Sequence, residues 1–195
     1  MGQQTVSIIS NNKDKDSFVK FLLNDIKALE IMIEQGMIEQ GKRRIGVEQE
    51  LCLVDSTWRP APIILEVLSK IEDKHFTTEL AKFNLEINFD PIEFGGNCLN
   101  VLERGLKEKI TAAENVLNEF GCKVILTGIL PTIRNKDLDL GNMTPLDRYY
   151  ALAKGLSKLR GGKFEFHISG TDELITAHDS VMFESCNTSY QLHYQ

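Results

Sequence analysis

Two glutamates separated by a single residue stand in the apolar segment RRIGVEQELCLV. Side chains alternate across a β-strand, so Glu48 and Glu50 project from one face if this segment is a strand. Two more alternating segments, FNLEINF and NTSYQLHYQ, place Glu86 and His193 on their polar sides. Crowded carboxylates repel one another unless a divalent cation lies among them. Oxygen ligands with one imidazole suit Mg²⁺ or Mn²⁺ in a site that handles phosphate.

A fourth segment, KFEFHIS, alternates in the same way and has the polar residues Lys163, Glu165, His167 and Ser169. The alternative to a metal site is a polar face that simply meets solvent, as one side of many antiparallel sheets does. A solvated face usually favours Thr, Lys and mixed charges. Here the acidic residues have little cationic compensation, which favours the metal site.

Other kinds of catalytic chemistry receive less support. The sequence has no GxSxG motif and no Walker or Rossmann glycine pattern. No CxxC pair occurs among the four cysteines, which predicts free thiols instead of a zinc site or a disulfide framework; they are Cys52, Cys98, Cys122 and Cys186.

Helices and strands interleave along the chain. Apolar spacing predicts one amphipathic helix from its N-cap Asp16 to about Gly36, a second over 97–120, and short helices near 62–73 and 145–159. Strands are predicted at 43–54, 83–89, 123–129, 163–169 and 187–195. This order predicts a single domain, residues 1–195, with an α+β fold whose mostly antiparallel sheet is covered by helices on one face.

Charge and composition exclude several classes of protein. The chain has 28 Asp and Glu against 22 Lys and Arg, a net charge of -6, and its densest basic stretch is three residues long. Such a chain repels a phosphate backbone, so nucleic acid is not an expected partner. No apolar run is long enough to span a membrane, and the N-terminal residues lack a signal pattern, which predicts a cytoplasmic protein.

Four segments in order resemble glutamate–cysteine ligase family 2, the carboxylate–amine ligases of the glutamine-synthetase-like superfamily. They are IGVEQELCLVD at 45–55, TTELAKFNLEINFDP at 77–91, KVILTGILPTIR at 123–134 and HDSVMFESCNTSYQLHYQ at 178–195. The resemblance implies a partial glutamine-synthetase-like catalytic domain, with a curved sheet whose concave face is polar.

The resemblance also implies roles for individual residues. Glu48 and Glu50 match paired glutamates that hold Mg²⁺ near phosphates, and Glu86 matches a further metal carboxylate. Glu79 matches an acidic position that approaches the same metal cluster, and His193 matches the metal-binding histidine.

Three further positions follow from the same matching segments. Gln191 and Gln195 lie on the strand of the metal histidine and are expected to point into the same cavity, although related ligases often carry Asn at the second position. Arg134, in the loop after a strand, is a candidate for binding an anionic substrate or nucleotide, with a surface arginine as the equal alternative.

The activity implied by the resemblance is similar to glutamine synthetase chemistry. ATP phosphorylates a carboxylate, and an amine then displaces phosphate to form an amide, with Mg²⁺ or Mn²⁺ required. In glutamate–cysteine ligases the acid is glutamate and the amine is cysteine. Two alternatives remain, a metal-dependent phosphotransferase of the same fold and a non-catalytic module that binds a metal or ligand.

Members of the family continue beyond their metal histidine, whereas this sequence stops at Gln195. The expectation is therefore an N-terminal portion of a larger catalytic domain, which need not be active by itself. Because unpaired strand edges associate, such a portion is also expected to be able to form a homo-oligomer.

Overall fold

The computed structural model of the chain describes Val6 and residues 11–195. These residues contain four α-helices: α1 (Asn12–Glu34), α2 (Ile64–Leu68), α3 (Cys98–Asn118) and α4 (Asp147–Arg160). They contain the strands β1 (Arg44–Val54), β2 (Phe76–Thr78), β3 (Asn84–Asn88), β4 (Ile92–Glu93), β5 (Lys123–Ile125), β6 (Phe164–Ser169), β7 (Glu173–His178) and β8 (Tyr190–Tyr194). Three short 3₁₀-helices lie at Asn135–Leu138, Leu140–Asn142 and Val181–Cys186.

Strand β1 is the centre of a six-stranded sheet whose pairings are all antiparallel. Ile45 pairs with both β4 and β8, and Cys52 pairs with both β3 and β5. One side of β1 is therefore flanked by β3 and β4, and the other by β8 and β5. Strand β2 continues the sheet beyond β3. The α+β fold with an antiparallel sheet is thus confirmed.

The main core lies on the side of the sheet that faces the helices. Leu51 and Leu53 of β1 are fully buried there together with Leu85 and Ile87 of β3. Helix α3 completes this core with side chains that recur at helical spacing, among them Ala113 and Leu117. Burying these apolar faces stabilises the sheet, because each fully buried aliphatic side chain contributes about 1.5–3 kcal/mol.

A second core forms around residues that follow β2 and around α4. Its buried members include Ala81, Phe83, Met143, Tyr149 and Met182. Phe83 begins the alternating segment FNLEINF in phase with Leu85 and Ile87, but it precedes the first residue of β3 and packs in this second cluster instead. The second core holds the segment before β3 and the 3₁₀-helix before β8 in place, and both border the polar side of the sheet.

The predicted strand at 163–169 forms, but it does not join the main sheet. Among the described strands, β6 pairs only with β7, in a separate two-stranded hairpin. The expectation that its polar residues extend the face of Glu48 and Glu50 is therefore wrong. His167 is exposed, and its Nε2 lies 2.6 Å from Glu173 Oε1 on the neighbouring strand.

The long helices form close to where apolar spacing predicts them. Helix α1 begins four residues before the predicted cap, because Asn11 caps it: Asn11 Oδ1 accepts a hydrogen bond of 2.9 Å from the Asp14 N–H. None of the α1 side chains is buried. No helix in the described part of the chain combines the length and the hydropathy that a membrane span requires. All four cysteines are free, as predicted.

Candidate functional site

Alternation along β1 places Glu48 and Glu50 on the side of the sheet opposite α3. The strand register puts their neighbours on the same side, because Glu50 pairs with Glu86 of β3 and Glu48 pairs with Gln191 of β8. His193 lies two residues beyond Gln191 and shares its face. We call this side of the sheet, with these residues, the carboxylate face.

Ser189, just before β8, and Gln191 within it hold the carboxylate of Glu50 in place. Glu50 Oε2 accepts hydrogen bonds from the Ser189 N–H at 2.8 Å and from Ser189 Oγ at 3.1 Å. Glu50 Oε1 accepts a third bond of 3.1 Å from Gln191 Nε2. The predicted position of Gln191 beside the acidic residues is therefore where the structure has it, and its contact is to Glu50.

Glu79 and Glu86 form a second contact on the same face. Glu79 follows β2, two residues after Thr77, which pairs with Glu86. Burial, the hydrogen bond to Glu86 and the charges of Glu86 and Glu50 together raise the pKa of Glu79 to about 8, although a hydrogen bond from the Leu80 N–H acts in the opposite direction. The raised pKa has its cause in carboxylates that lie close together on one partly buried face.

The pair Glu48 and His193 lies toward the opposite end of the carboxylate face. His193 Nε2 is 3.5 Å from Glu48 Oε2, and His193 is paired across the strands with Gly46, which has no side chain to cover the ring. An open depression of about 280 Å³ lies here, lined by both residues together with Asn88 and Gln195 among others.

Two of the predicted binding residues, Gln195 and Arg134, form no hydrogen bond or ion pair with the glutamates of the carboxylate face within the described residues. Gln195 Oε1 accepts a hydrogen bond of 2.7 Å from Arg44, and its Nε2 donates to Glu39 at 3.2 Å. Arg134 is exposed at the start of a 3₁₀-helix, where its backbone N–H donates to Asp137. Within the described residues, no hydrogen bond or ion pair joins Arg134 to Glu48, Glu50, Glu79 or Glu86.

Two further residues, for which the sequence predicts no role, also lie in this region of the structure. Glu184 lies in the 3₁₀-helix before β8, and burial and the charge of Glu50 raise its pKa. No alternation marks a residue in a 3₁₀-helix, so no sequence signal identified it. Asn84 is one of the polar residues that alternate with apolar ones in FNLEINF, and it pairs with Cys52 of β1. It is 2% exposed, and its Oδ1 has no hydrogen-bond partner among the residues that the structure describes.

The donor set fits a hard divalent cation. Carboxylate and amide oxygens with one imidazole are the ligands that Mg²⁺ and Mn²⁺ take in proteins. No lysine or arginine within the described residues forms an ion pair with Glu48, Glu50, Glu79 or Glu86, and the buried Asn84 Oδ1 is an acceptor without a donor. Nevertheless, no three His, Cys, Asp or Glu side chains in Val6 or 11–195 converge closely enough to hold one ion.

Comparison with the sequence models of known protein families gives a match. The sequence model of glutamate-cysteine ligase family 2 matches residues 44–194, a span that begins with β1 and ends with β8. It therefore includes the whole six-stranded sheet and every residue of the carboxylate face. Comparison with curated proteins and with solved structures gave no match.

Proposed function

The chain belongs to glutamate-cysteine ligase family 2, a family of ligases, and we propose that it contributes to an ATP-dependent ligation of a carboxylic acid to an amine. In this proposal the acid is phosphorylated by ATP, and the amine then displaces phosphate to form an amide. Glutamate and cysteine are the proposed acid and amine, after the reaction for which the family is named.

The observation that carries this proposal is the concentration of carboxylates on one face without a cationic partner. Glu50 faces Glu86 directly, and burial beside the Glu86 and Glu50 carboxylates raises the pKa of Glu79 to about 8. Like charges this close destabilise a sheet unless something compensates them. A site evolved for stability alone would be expected to place a lysine or arginine among them.

We assign the metal-holding role to Glu48, Glu50, Glu79, Glu86 and His193. Glu50 is already oriented by Ser189 and Gln191, so its carboxylate is fixed before any ligand arrives. Because no three of these side chains converge on one point within the described residues, they would have to rotate toward the ions that they hold, at more than one position along the face. Divalent ions bound there would offset the negative charge of the ATP phosphates and help to align them with the acid. Gln191 orients Glu50, and Gln195 orients Arg44 at the rim.

Glu79 has a separate part in this proposal. Because its pKa is raised to about 8, it holds a proton at neutral pH when no cation is present. Binding of a cation favours the ionised form of a nearby carboxyl group, so cation binding should release this proton. The carboxylate face is therefore expected to release a proton when it binds a metal ion.

The experiment is an activity assay of the full-length gene product with ATP, Mg²⁺, glutamate and cysteine. We expect release of ADP and formation of a γ-glutamyl product, with a loss of at least about 100-fold in Glu48→Gln. The matched control is Glu66→Gln, since Glu66 is exposed on α2, on the other side of the sheet. Equal activity of Glu48→Gln and wild type would contradict the assignment.

The same assay separates the alternatives. Phosphoryl transfer that proceeds without any amine would identify a phosphotransferase. Binding of Mg²⁺ and nucleotide without turnover would identify a non-catalytic module. Both outcomes would contradict the proposed ligation while leaving the carboxylate face as a binding site.

A further inference from the structure

Helix α1 is the least covered element among the described residues. It spans 23 residues, and none of its side chains is buried. Several of its large apolar side chains are about half exposed or more, for example Phe18 at 55%, Ile26 at 47% and Ile33 at 61%. The residues 35–43 that connect α1 to β1 are exposed as well. Helices in proteins gain most of their stability by packing an apolar face against a partner, so an apolar face without one indicates that something covers α1.

The apolar residues of α1 follow the spacing of a coiled-coil seam. Val19, Leu22, Ile26, Leu29 and Ile33 are separated alternately by three and four residues. With Val19 at position a of a heptad, every a residue is β-branched and both d residues are leucine. That combination favours two parallel strands. Phe21 and Ile31 lie outside this seam and stay exposed as isolated apolar residues, which is common on protein surfaces.

The residues beside the seam extend it. In a parallel pair, a g residue meets the e residue of the second copy five positions further on. Phe18 then meets Leu23 of the second copy, and this contact occurs twice by symmetry. Met32 adds a third flanking apolar side chain. The seam and these flanking residues together form what we call the α1 stripe, residues 18, 19, 22, 23, 26, 29, 32 and 33.

The area of the α1 stripe is sufficient for an association of modest strength. Each of its eight side chains can lose roughly 80 Å² of exposed surface, so two copies bury roughly 1,300 Å², near the lower end of the range for specific interfaces. We propose that the partner of α1 is a second copy of this chain, joined to it as a parallel two-stranded coiled coil through the α1 stripe.

One pair of residues opposes this arrangement and provides a means to test it. Asp25 at position g meets Glu30 at position e of the second copy, so two like-charged contacts flank the seam. Glu30 has no ion pair within the described residues. The repulsion predicts a dimer that tightens at higher salt, because screening weakens a like-charge contact but leaves apolar burial in place.

The experiment measures the mass of the chain by sedimentation equilibrium over a range of concentrations. We expect a reversible change from the 22.1 kDa monomer to twice that mass. Ile26→Asp places a charge in the seam and should weaken the dimer at least 100-fold. Asn24→Asp adds the same charge at position f, on the opposite side of α1, and should leave the dissociation constant within about threefold.

A charge reversal tests the orientation of the two helices and does not depend on disrupting the fold. Glu30→Lys turns the contact with Asp25 of the second copy into an attractive one and should tighten the dimer several-fold at low salt. An antiparallel pair would instead place Glu30 near Leu23, and the variant would not tighten. A monomer at all concentrations, equal effects of Ile26→Asp and Asn24→Asp, or no tightening by Glu30→Lys would each overturn the proposal.

Discussion

Glu50 on β1 and Glu86 on β3 face each other directly across two neighbouring antiparallel strands. The two side chains belong to the same side of the sheet, and within the described residues neither forms an ion pair with a lysine or arginine. Opposed like charges destabilise a strand pair by a few tenths of a kcal/mol to about 1 kcal/mol. The carboxylate face therefore lowers the stability of the metal-free protein in a way that a bound cation would reverse.

The first prediction concerns Glu86→Gln. Without divalent ions we expect the variant to be more stable than wild type by about 0.5–1 kcal/mol, because a neutral amide removes the repulsion with Glu50 and can donate to Glu79. With saturating Mg²⁺ the order should reverse, since only the wild type gains binding energy from the ion. Urea unfolding at pH 7.5, with and without Mg²⁺, measures both values.

Glu66→Gln is the control for this experiment, because Glu66 is exposed on α2. Its free energy of unfolding should match wild type within about 0.5 kcal/mol in both conditions. A Glu86→Gln variant less stable than wild type without Mg²⁺ would show that the charges on this face are compensated by some other contact.

The second prediction concerns stability at acid pH. Partial burial works against ionisation of Asp73, but hydrogen bonds from Lys109 and His75 outweigh it and lower the pKa of Asp73 from 3.8 to about 2. Because the folded-state pKa is the lower one, the contribution of Asp73 is fully present above about pH 4 and is lost as the pH falls toward 2. We expect Asp73→Asn to lower stability by about 1 kcal/mol at pH 7, after allowance for screening by solvent.

The same variant should differ less from wild type at pH 2 than at pH 7. Unfolding curves between pH 7 and pH 2 measure the difference. A constant difference across that range would contradict the ion pair with Lys109 as its source, since only a group that titrates differently in the two states makes stability depend on pH.

The third prediction concerns a glycine inside α3. A Cβ atom at Gly105 would lie 3.0 Å from Cε1 of the Phe89 ring, whereas one at Gly155 in α4 would meet nothing within 4 Å. Gly105→Val should destabilise the protein by about 1–3 kcal/mol, because the ring must move out of its packed position. Gly155→Val should change stability by no more than about 0.5 kcal/mol. Thermal unfolding of the two variants gives the comparison.

The fourth prediction concerns the reactivity of Cys52. Burial raises the pKa of this thiol to about 11, with the hydrogen bond to Thr188 acting in the opposite direction. Only the thiolate reacts with iodoacetamide, so alkylation of Cys52 at pH 8 should be at least about 100-fold slower than that of an exposed cysteine. Mass spectrometry of the native and the urea-unfolded protein measures the two rates. Equal rates would show that Cys52 is accessible and ionised in the native state.

Alternation was sufficient to predict the strands that carry the site. In β1 and β3 the apolar side chains pack against helices, whereas those of β8 are exposed; in all three strands the polar side chains lie on the carboxylate face. Glu48, Glu50 and Glu86 could therefore be placed on one side of the sheet from the sequence alone. The periodicity of α3 is equally clear, because its apolar residues must cover the sheet.

Alternation could not predict which strands pair with each other. KFEFHIS alternates as regularly as FNLEINF, yet β6 pairs with β7 and not with β1, because alternation fixes which side chains share a face but not which strand lies alongside. Strands β2 and β4, of three and two residues, are too short for a periodic signal. Glu184 was missed because it reaches this region from a 3₁₀-helix, whose position depends on the second core.

The most direct test of the carboxylate face is calorimetric titration of the metal-free protein with Mg²⁺ and Mn²⁺ at pH 7.5. We predict binding by wild type and by Glu66→Gln with the same affinity, and an affinity at least about 10-fold lower in Glu50→Gln. If wild type and Glu50→Gln bind these ions equally, or if neither binds them, the carboxylates of β1 and β3 do not form a cation site.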